Sequence, residues 1–218
     1  MWNPSPNNYF RFSFSSAIRN PTLTDQYLNL NVGPATLVGN LYGADSVITV
    51  ESFIDHLTDL SNKVEYFNID PIKPEKVKSF ELGARTTLFE KIYVDAGYFY
   101  SIYNDFIGYN IGIKSEFDPV TSLPNFVNVY RYAANSTNTV TTQGFNIGLN
   151  YYFATYYMVA ANYSWNKLNK TFAEDPIIPA FNTPEHKYNV SISARNLEIN
   201  LGRKSLKNIG FNVTYKWL

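Results

Sequence analysis

The chain has 218 residues, with 18 basic and 18 acidic side chains, two histidines and no cysteine. A neutral balance argues against a nucleic-acid protein, because phosphate binding wants a basic excess, and the missing cysteines remove a disulfide framework, a thiolate nucleophile and a Cys-type zinc site. Aromatic residues reach 17% while charged residues also stand at 17%, below the ~25% of ordinary soluble domains, and no stretch approaches the ~20 apolar residues of a membrane helix.

Period-two alternation dominates the chain. Phe10, Phe12 and Phe14 alternate with Arg11, Ser13 and Ser15. One short surface helix is predicted over Ser52 to Asn62, where Phe53, Ile54, Leu57 and Leu60 have helical spacing. A second strand alternates Phe80, Leu82, Ala84, Thr86 and Leu88 with Glu81, Gly83, Arg85 and Thr87. A third carries Ile92, Val94, Ala96, Tyr98, Tyr100 and Ile102 on one phase. A fourth carries Phe145, Ile147, Leu149 and Tyr151, and a fifth Tyr157, Val159, Ala161, Tyr163 and Trp165. A sixth has Tyr188, Val190 and Ile192, and a seventh Ile209, Phe211, Val213, Tyr215 and Trp217. Most reach the ~9–11 residues that a tilted membrane strand needs, where soluble strands average ~5–6.

The charges distinguish the faces. Within the strand bodies Arg11, Glu81, Arg85, Asp95, Arg195 and Lys216 fall on the polar phase. Lys78, Lys167 and Glu198 are exceptions at strand ends. A charge facing lipid at midplane costs roughly 2–4 kcal/mol, so exclusion is expected there, although a soluble sandwich also keeps charge off its inner face. Connections alternate in length. Asn20 to Lys76 is long, Phe89 to Lys91 short, Lys114 to Pro124 long, Ala154-Thr155 short, Thr171 to Glu185 long, and Asn200 to Lys207 modest. Membrane barrels have this asymmetry and sandwiches have no reason for it. Tyr9, Phe10, Phe89, Tyr93, Tyr151, Tyr152, Phe153, Tyr156 and Tyr157 crowd the tight-turn end, as an interfacial girdle would. The expected fold is therefore all-β: an antiparallel up-and-down transmembrane β-barrel segment of about 7–8 long strands. Seven is odd for a closed bacterial barrel, and a strand opens within ten residues of Met1, so the sequence reads as a segment of a larger barrel. A hidden eighth strand over Asp45 to Val50 would instead permit a small closed barrel.

Several motifs then carry a family resemblance. Arg19-Asn20-Pro21-Thr22-Leu23-Thr24-Asp25-Gln26-Tyr27, after an aromatic strand, resembles the late-barrel region of TonB-dependent outer-membrane receptors. Pro74 to Gly83, with its proline-glutamate followed by phenylalanine-glutamate-x-glycine, is similar to a strand opening of that family. Val94 to Tyr100 with Tyr103 to Ile107, then Gly144 to Tyr151, then Phe181 to Lys187, continue the series. The resemblance implies a 22-strand barrel with an N-terminal plug, importing scarce ligands with energy from an inner-membrane TonB-type protein. It further implies that residues 1–218 are the C-terminal portion of such a barrel. Outer-membrane lipid, a plug domain, the rest of the barrel and a surface lipoprotein are the partners it suggests.

No nucleophile-base set and no phosphate loop is present, and no cofactor is expected. His56 and His186 lack metal-ligand spacing. His56 beside Asp55 and Asp59 reads as a solvated loop rather than a cation site. Arg11, Glu81, Arg85, Asp95 and Arg195 are the inward-facing candidates for ligand or plug contact. Glu81, Arg85 and Asp95 form a predicted cross-strand charge cluster, and a purely structural pairing network is the weightier account of it. Asn20 to Tyr27 and Gly33 to Leu60 would lie on the outer side, where ligand capture is plausible. Two other readings stay open: a small closed outer-membrane barrel acting as adhesin or structural protein, and a soluble β-sandwich that binds carbohydrate.

Overall fold

The computed structural model of the chain describes residues 2–169, 178–179, 183–202 and 204–217. The chain opens with the short strand β1 (Trp2–Ser5) and the long β2 (Asn8–Arg19). A crossing segment follows, with α1 (Leu23–Tyr27), β3 (Asn29–Asn31), β4 (Thr36–Val38), β5 (Ala44–Ile48), α2 (Val50–Thr58) and β6 (Tyr66–Ile69). Then come β7 (Glu75–Leu88) and β8 (Ile92–Asn104), a hairpin of β9 (Ile107–Lys114) and β10 (Asn128–Asn135), and β11 (Val140–Phe153) and β12 (Tyr157–Asn169). β13 (Ile178–Pro179), β14 (His186–Leu201) and β15 (Lys204–Trp217) complete it.

The long strands form one antiparallel wall in the order β1-β2-β7-β8-β11-β12-β14-β15. All seven predicted strands lie in it, and each pairs with the next in sequence along the wall. Its ends, β1 and β15, do not pair with each other, so the wall is open. Strands of 12 to 16 residues are long enough to cross a bilayer at a tilt. The eighth strand is Trp2–Ser5, turning tightly into β2 through Ser5↔Asn8. It is not Asp45 to Val50: that stretch is strand only as far as Ile48, in the second sheet, and Val50 opens α2. Register puts Phe12, Leu82, Tyr98, Phe145 and Trp165 in one row across five strands. Among the described residues nothing covers this face: Phe12 is 64% exposed, Leu82 56% and Val213 63%. A sandwich would have buried them, so the soluble β-sandwich expectation does not hold.

The tight turns repeat one construction. Phe89 and Glu90, like Ala154 and Thr155, have left-handed φ values between 46° and 63°. Two consecutive left-handed residues match the twist of the flanking strands, and here neither is Gly or Asn. The modest link expected over Asn200 to Lys207 is mostly paired strand, with Ile199↔Leu206 and Leu201↔Lys204. The girdle sorts by phase: Phe10, Tyr151, Phe153 and Tyr157 share the apolar phase, with Phe153 stacked on both tyrosines. Tyr9, Tyr93 and Tyr152 sit on the polar phase through their pairing with Arg85, Thr87 and Met158.

At the long-loop end stands a second, seven-stranded sheet, ordered β3-β4-β10-β9-β5-β6 with β13 added to β9. The connection expected around Lys114 to Pro124 is in fact residues 105–139 and carries the β9–β10 hairpin of this sheet. Adjacent residues Val47 and Ile48, both essentially buried, point to opposite faces. Val47 joins Ile69, Tyr132 and Ala134, whereas Ile48 joins Phe53 and Ile113. Helix α2 begins where the Thr49 side chain accepts from the Ser52 backbone N–H. It buries Ser52, Phe53 and His56 and leaves Ile54 and Leu57 exposed. Of the long link predicted over Thr171 to Glu185, residues 171–177 and 180–182 lie outside the described residues.

The two sheets meet at Glu75. Its buried carboxylate accepts from the Ile107 backbone N–H at 2.9 Å and from Arg19 at 3.1 Å. Asn135 completes the joint, accepting from Lys73 N–H and donating to the carbonyls of Lys73 and Asp105.

Candidate functional site

The polar face of the wall is the surface that chemistry has to work with. Two neighbouring rows cross it. One runs Arg11, Gly83, Gly97, Asn146, Ser164, Lys187. The other runs Tyr9, Arg85, Asp95, Gly148, Asn162, Asn189, Lys216. Strand alternation alone sends all of these side chains to the same side.

Of the five residues singled out by sequence, four lie close together. Arg85 donates from Nε and Nη2 to one Asp95 oxygen, at 3.0 and 2.6 Å, and its guanidinium lies over the Tyr93 ring. Directly opposed cross-strand charges of unlike sign stabilise the pairing modestly. Glu81 does not join that pair; it accepts from the Ser13 hydroxyl at 3.2 Å. The expected cluster of three is thus a pair plus a separately held carboxylate. Arg11 lies across Gly83 and makes no ion pair among the described residues. Arg195 stands apart at the tight-turn end, where its backbone N–H donates to Tyr156 O. There it lines a separate cavity with Tyr156, Ser193 and Asn212.

Sequence reasoning passed over Asn146, Asn162, Asn189 and Lys187, which line a 390 Å³ cavity together with Arg11 and Asp95. Their phase was legible, but membership of one cavity depends on register. It also missed Glu75, whose only sequence signal was the Pro74-Glu75 strand opening.

His56 is neither solvated nor a cation ligand. It is 7% exposed. Its Nδ1 faces the Asn62 carbonyl at 2.6 Å and its Nε2 the Ser122 carbonyl at 2.8 Å. Two carbonyl acceptors require two N–H donors, so the doubly protonated ring fits this seat. Those carbonyls, Asn62 first and then Ser122, raise its pKa above 6.5 against the opposing effect of burial. Among the described residues no group of three acidic or imidazole side chains is placed to hold a metal ion. No helix there is long and apolar enough to cross a membrane, which says nothing about strands.

Comparison with known proteins adds the following. The family described as "TonB dependent receptor-like, beta-barrel" matches residues 1–217. No curated protein matches the chain. Among solved structures, the copper transporter OprC is similar at 14% identity and a TM-score of 0.53, covering 96% of this chain and 28% of its own. The siderophore receptor PirA from Acinetobacter baumannii is similar at 12% identity and a TM-score of 0.48, covering 97% of this chain and 32% of its own. The FrpB iron transporter from Neisseria meningitidis (F3-3 variant) matches at 14% identity and a TM-score of 0.46, covering 99% of this chain and 30% of its own. The chain therefore spans about a third or less of the length of these structures. At 14% identity the likeness to OprC shows the fold alone. With a family match over nearly every residue and a wall whose apolar side is uncovered, the chain belongs to the TonB-dependent receptor-like β-barrel family.

Proposed function

We propose that residues 1–218 form the C-terminal portion of the barrel of an outer-membrane receptor for energy-coupled ligand uptake, without catalytic activity of its own. In this reading the apolar face meets outer-membrane lipid, and the row from Arg11 to Lys187 faces the lumen. A plug domain occupies that lumen, and a TonB-type protein supplies energy through it. The outer sheet stands over the entrance, where a captured ligand or a surface lipoprotein would make contact. Arg11, Glu81, Arg85, Asp95 and Arg195 are the proposed lumen contacts to ligand or plug.

The observation that carries this reading is the uncovered apolar face. Aromatic and aliphatic side chains run in register across the wall and include exposed ones on every strand but β12, whose apolar phase is half-buried, while every charged side chain in the middle of the wall takes the other phase. A water-soluble protein rarely leaves such a surface bare. The test is purification with and without detergent, followed by electrophoresis of boiled and unboiled samples. A folded barrel migrates differently before boiling and requires detergent. A chain that stays folded and monomeric in plain buffer overturns the reading.

A further inference from the structure

Three charges stand out of phase in the sequence, Lys78, Lys167 and Glu198, and the structure treats them differently. The register of β14 shifts between Ala194 and Leu197, so Leu197 and Ile199 take the apolar phase and Glu198 the polar one, where its carboxylate pairs with Lys207 at 3.3 Å. Lys78 and Lys167 stay on the apolar phase, at the long-loop end of β7 and β12. Lys78 pairs with Ser16 and Ile102, and Lys167 with Gln143. Both are exposed, and neither makes an ion pair among the described residues.

The bare face changes character around them. The row from Phe12 to Trp165 is aromatic and aliphatic. The next row toward the long loops runs Phe14, Phe80, Tyr100, Gln143, Lys167, and the one after it Ser16, Lys78, Ile102, Thr141, Asn169. Rows lie about 7 Å apart along the strands, so hydrocarbon-compatible side chains give way to hydroxyls, amides and amines over two rows. That gradient is the profile of a bilayer boundary. A lysine costs little there and much at midplane, because its apolar stem lets the amine reach the headgroups.

The carboxylates at this end are committed elsewhere. Asp105 lies 4.0 Å from Lys76. Glu185 accepts from Trp165 Nε1 at 3.2 Å and stands 4.0 Å from His186. Glu75 is buried against Arg19 and the Ile107 N–H. Two cations thus remain uncompensated, three strand spacings or about 14 Å apart. Between them Tyr98 donates to Gln143 Oε1 at 3.0 Å, which leaves the Gln143 NH2 group to donate. Amines and an amide donor at a membrane boundary are complementary to phosphate oxygens.

We propose that the long-loop end of the apolar face binds outer-leaflet lipid through phosphate-bearing headgroups, with Lys78 and Lys167 contacting the phosphates and Gln143 a flanking oxygen. The proposal rests on the receptor reading above, because it needs this face to lie in a membrane. It goes further by giving the bound lipid its charge and its contacts.

The probes are dioleoyl phosphatidic acid and dioleoyl phosphatidylcholine, titrated separately into the intact receptor in detergent, with bound lipid counted by native mass spectrometry. The phosphatidic acid should bind at least about tenfold more tightly, and raised salt should shrink that preference. Lys78→Gln/Lys167→Gln should lose most of it. Lys63→Gln/Lys73→Gln removes the same charge from exposed positions outside the wall and should keep it. Boiled and unboiled electrophoresis is run on each sample. Equal binding of the two lipids by a wild-type protein with the folded-barrel mobility overturns the proposal and leaves the receptor reading standing. An undiminished preference in the folded Lys78/Lys167 variant, or an equal loss in both double variants, overturns it as well. A wild-type protein without that mobility removes both readings. Should the Lys78/Lys167 variant fail to fold, wild type alone decides: a preference that shrinks with salt upholds the proposal and one indifferent to salt overturns it.

Discussion

The long-stranded wall and the outer sheet obey the same alternation rule but bury their side chains differently. In the wall, one phase is polar and the other is left bare, with Phe12, Phe14 and Leu82 all more than half exposed. At the centre of the outer sheet both phases are buried, so Val47 and Ile48 are adjacent and both closed off from solvent. Most of the buried apolar side chains among the described residues belong to this end of the molecule: Val47, Ile48, Phe53, Ile69, Ile107, Ile113 and Tyr132. The wall contributes little more than Val140, Ala160 and Ala194. The protein thus keeps its packed core in its loops, while the apolar phase of its wall carries no second layer among the described residues. A lipid chain can refill space left by a missing side chain, whereas a packed neighbour largely cannot.

That contrast can be broken most sharply by truncating one isoleucine on each side. Ile48→Ala should cost about 2–5 kcal/mol, because a cavity remains. It should open the outer sheet to protease while the unboiled mobility of the barrel persists. Ile147→Ala loses only the side-chain transfer energy, at most about 1.5–3 kcal/mol. Equal losses in denaturant unfolding from vesicles would contradict a lipid-solvated face.

Charge placement should sharpen the same difference. Leu82→Arg puts a cation on the bare phase and should cost about 2–4 kcal/mol. Asn150→Arg, on the lumen phase, should stay within about 0.5 kcal/mol. Reversed magnitudes would mean that the two faces have been exchanged.

A smaller effect concerns the wall's turns. Thr155 is β-branched with φ of 63°, a conformation that costs an L-residue roughly 1–2 kcal/mol. Glycine removes that strain but adds unfolded-state entropy. Thr155→Gly should therefore stabilise by up to about 1 kcal/mol, seen as a higher unfolding midpoint.

The outer sheet carries a pH-dependent contact at His56. His56 links α2 to the segment around Ser122, and its pKa is raised in the folded state. Its contribution is therefore fully present below pH about 6.5, the ordinary histidine value. It is lost as pH rises through the elevated folded value. The nearby turn carboxylates Asp59 and Asp118 are held below their ordinary range by hydrogen bonds to Ser61 and Thr121, so they stay ionised across this window. Amide exchange around Ser122 should quicken from pH 5.5 to 8.5 by more than the intrinsic rate change. His56→Gln should abolish the excess, and an unchanged excess would refute the link.

Legibility in the sequence followed the same division. The long strands were readable because one solvent-facing phase repeats for ten residues or more, and even turns without Gly or Asn, such as Phe89-Glu90, show up as gaps between such runs. The outer sheet was not readable. Its strands are mostly short, burial on both faces erases alternation, and pairs such as Thr36↔Tyr130 join residues far apart in the chain. His56 read as loop because its partners, Asn62 and Ser122, come together only through that packing. The charge pair Arg85–Asp95 was visible as shared phase on neighbouring strands, but Glu81 fell outside it because register sets Glu81 opposite Ser13.

By itself, then, the sequence determined which side chains take the bare apolar phase of the wall and which take the polar phase, since phase is a local property of an extended chain. Tertiary structure alone decided which polar-phase groups share a cavity, which charges pair with one another, and how residues 20–74 and 105–139 fold together into one sheet. Those outcomes depend on cross-strand register and long-range closure, and no run of neighbouring residues encodes either.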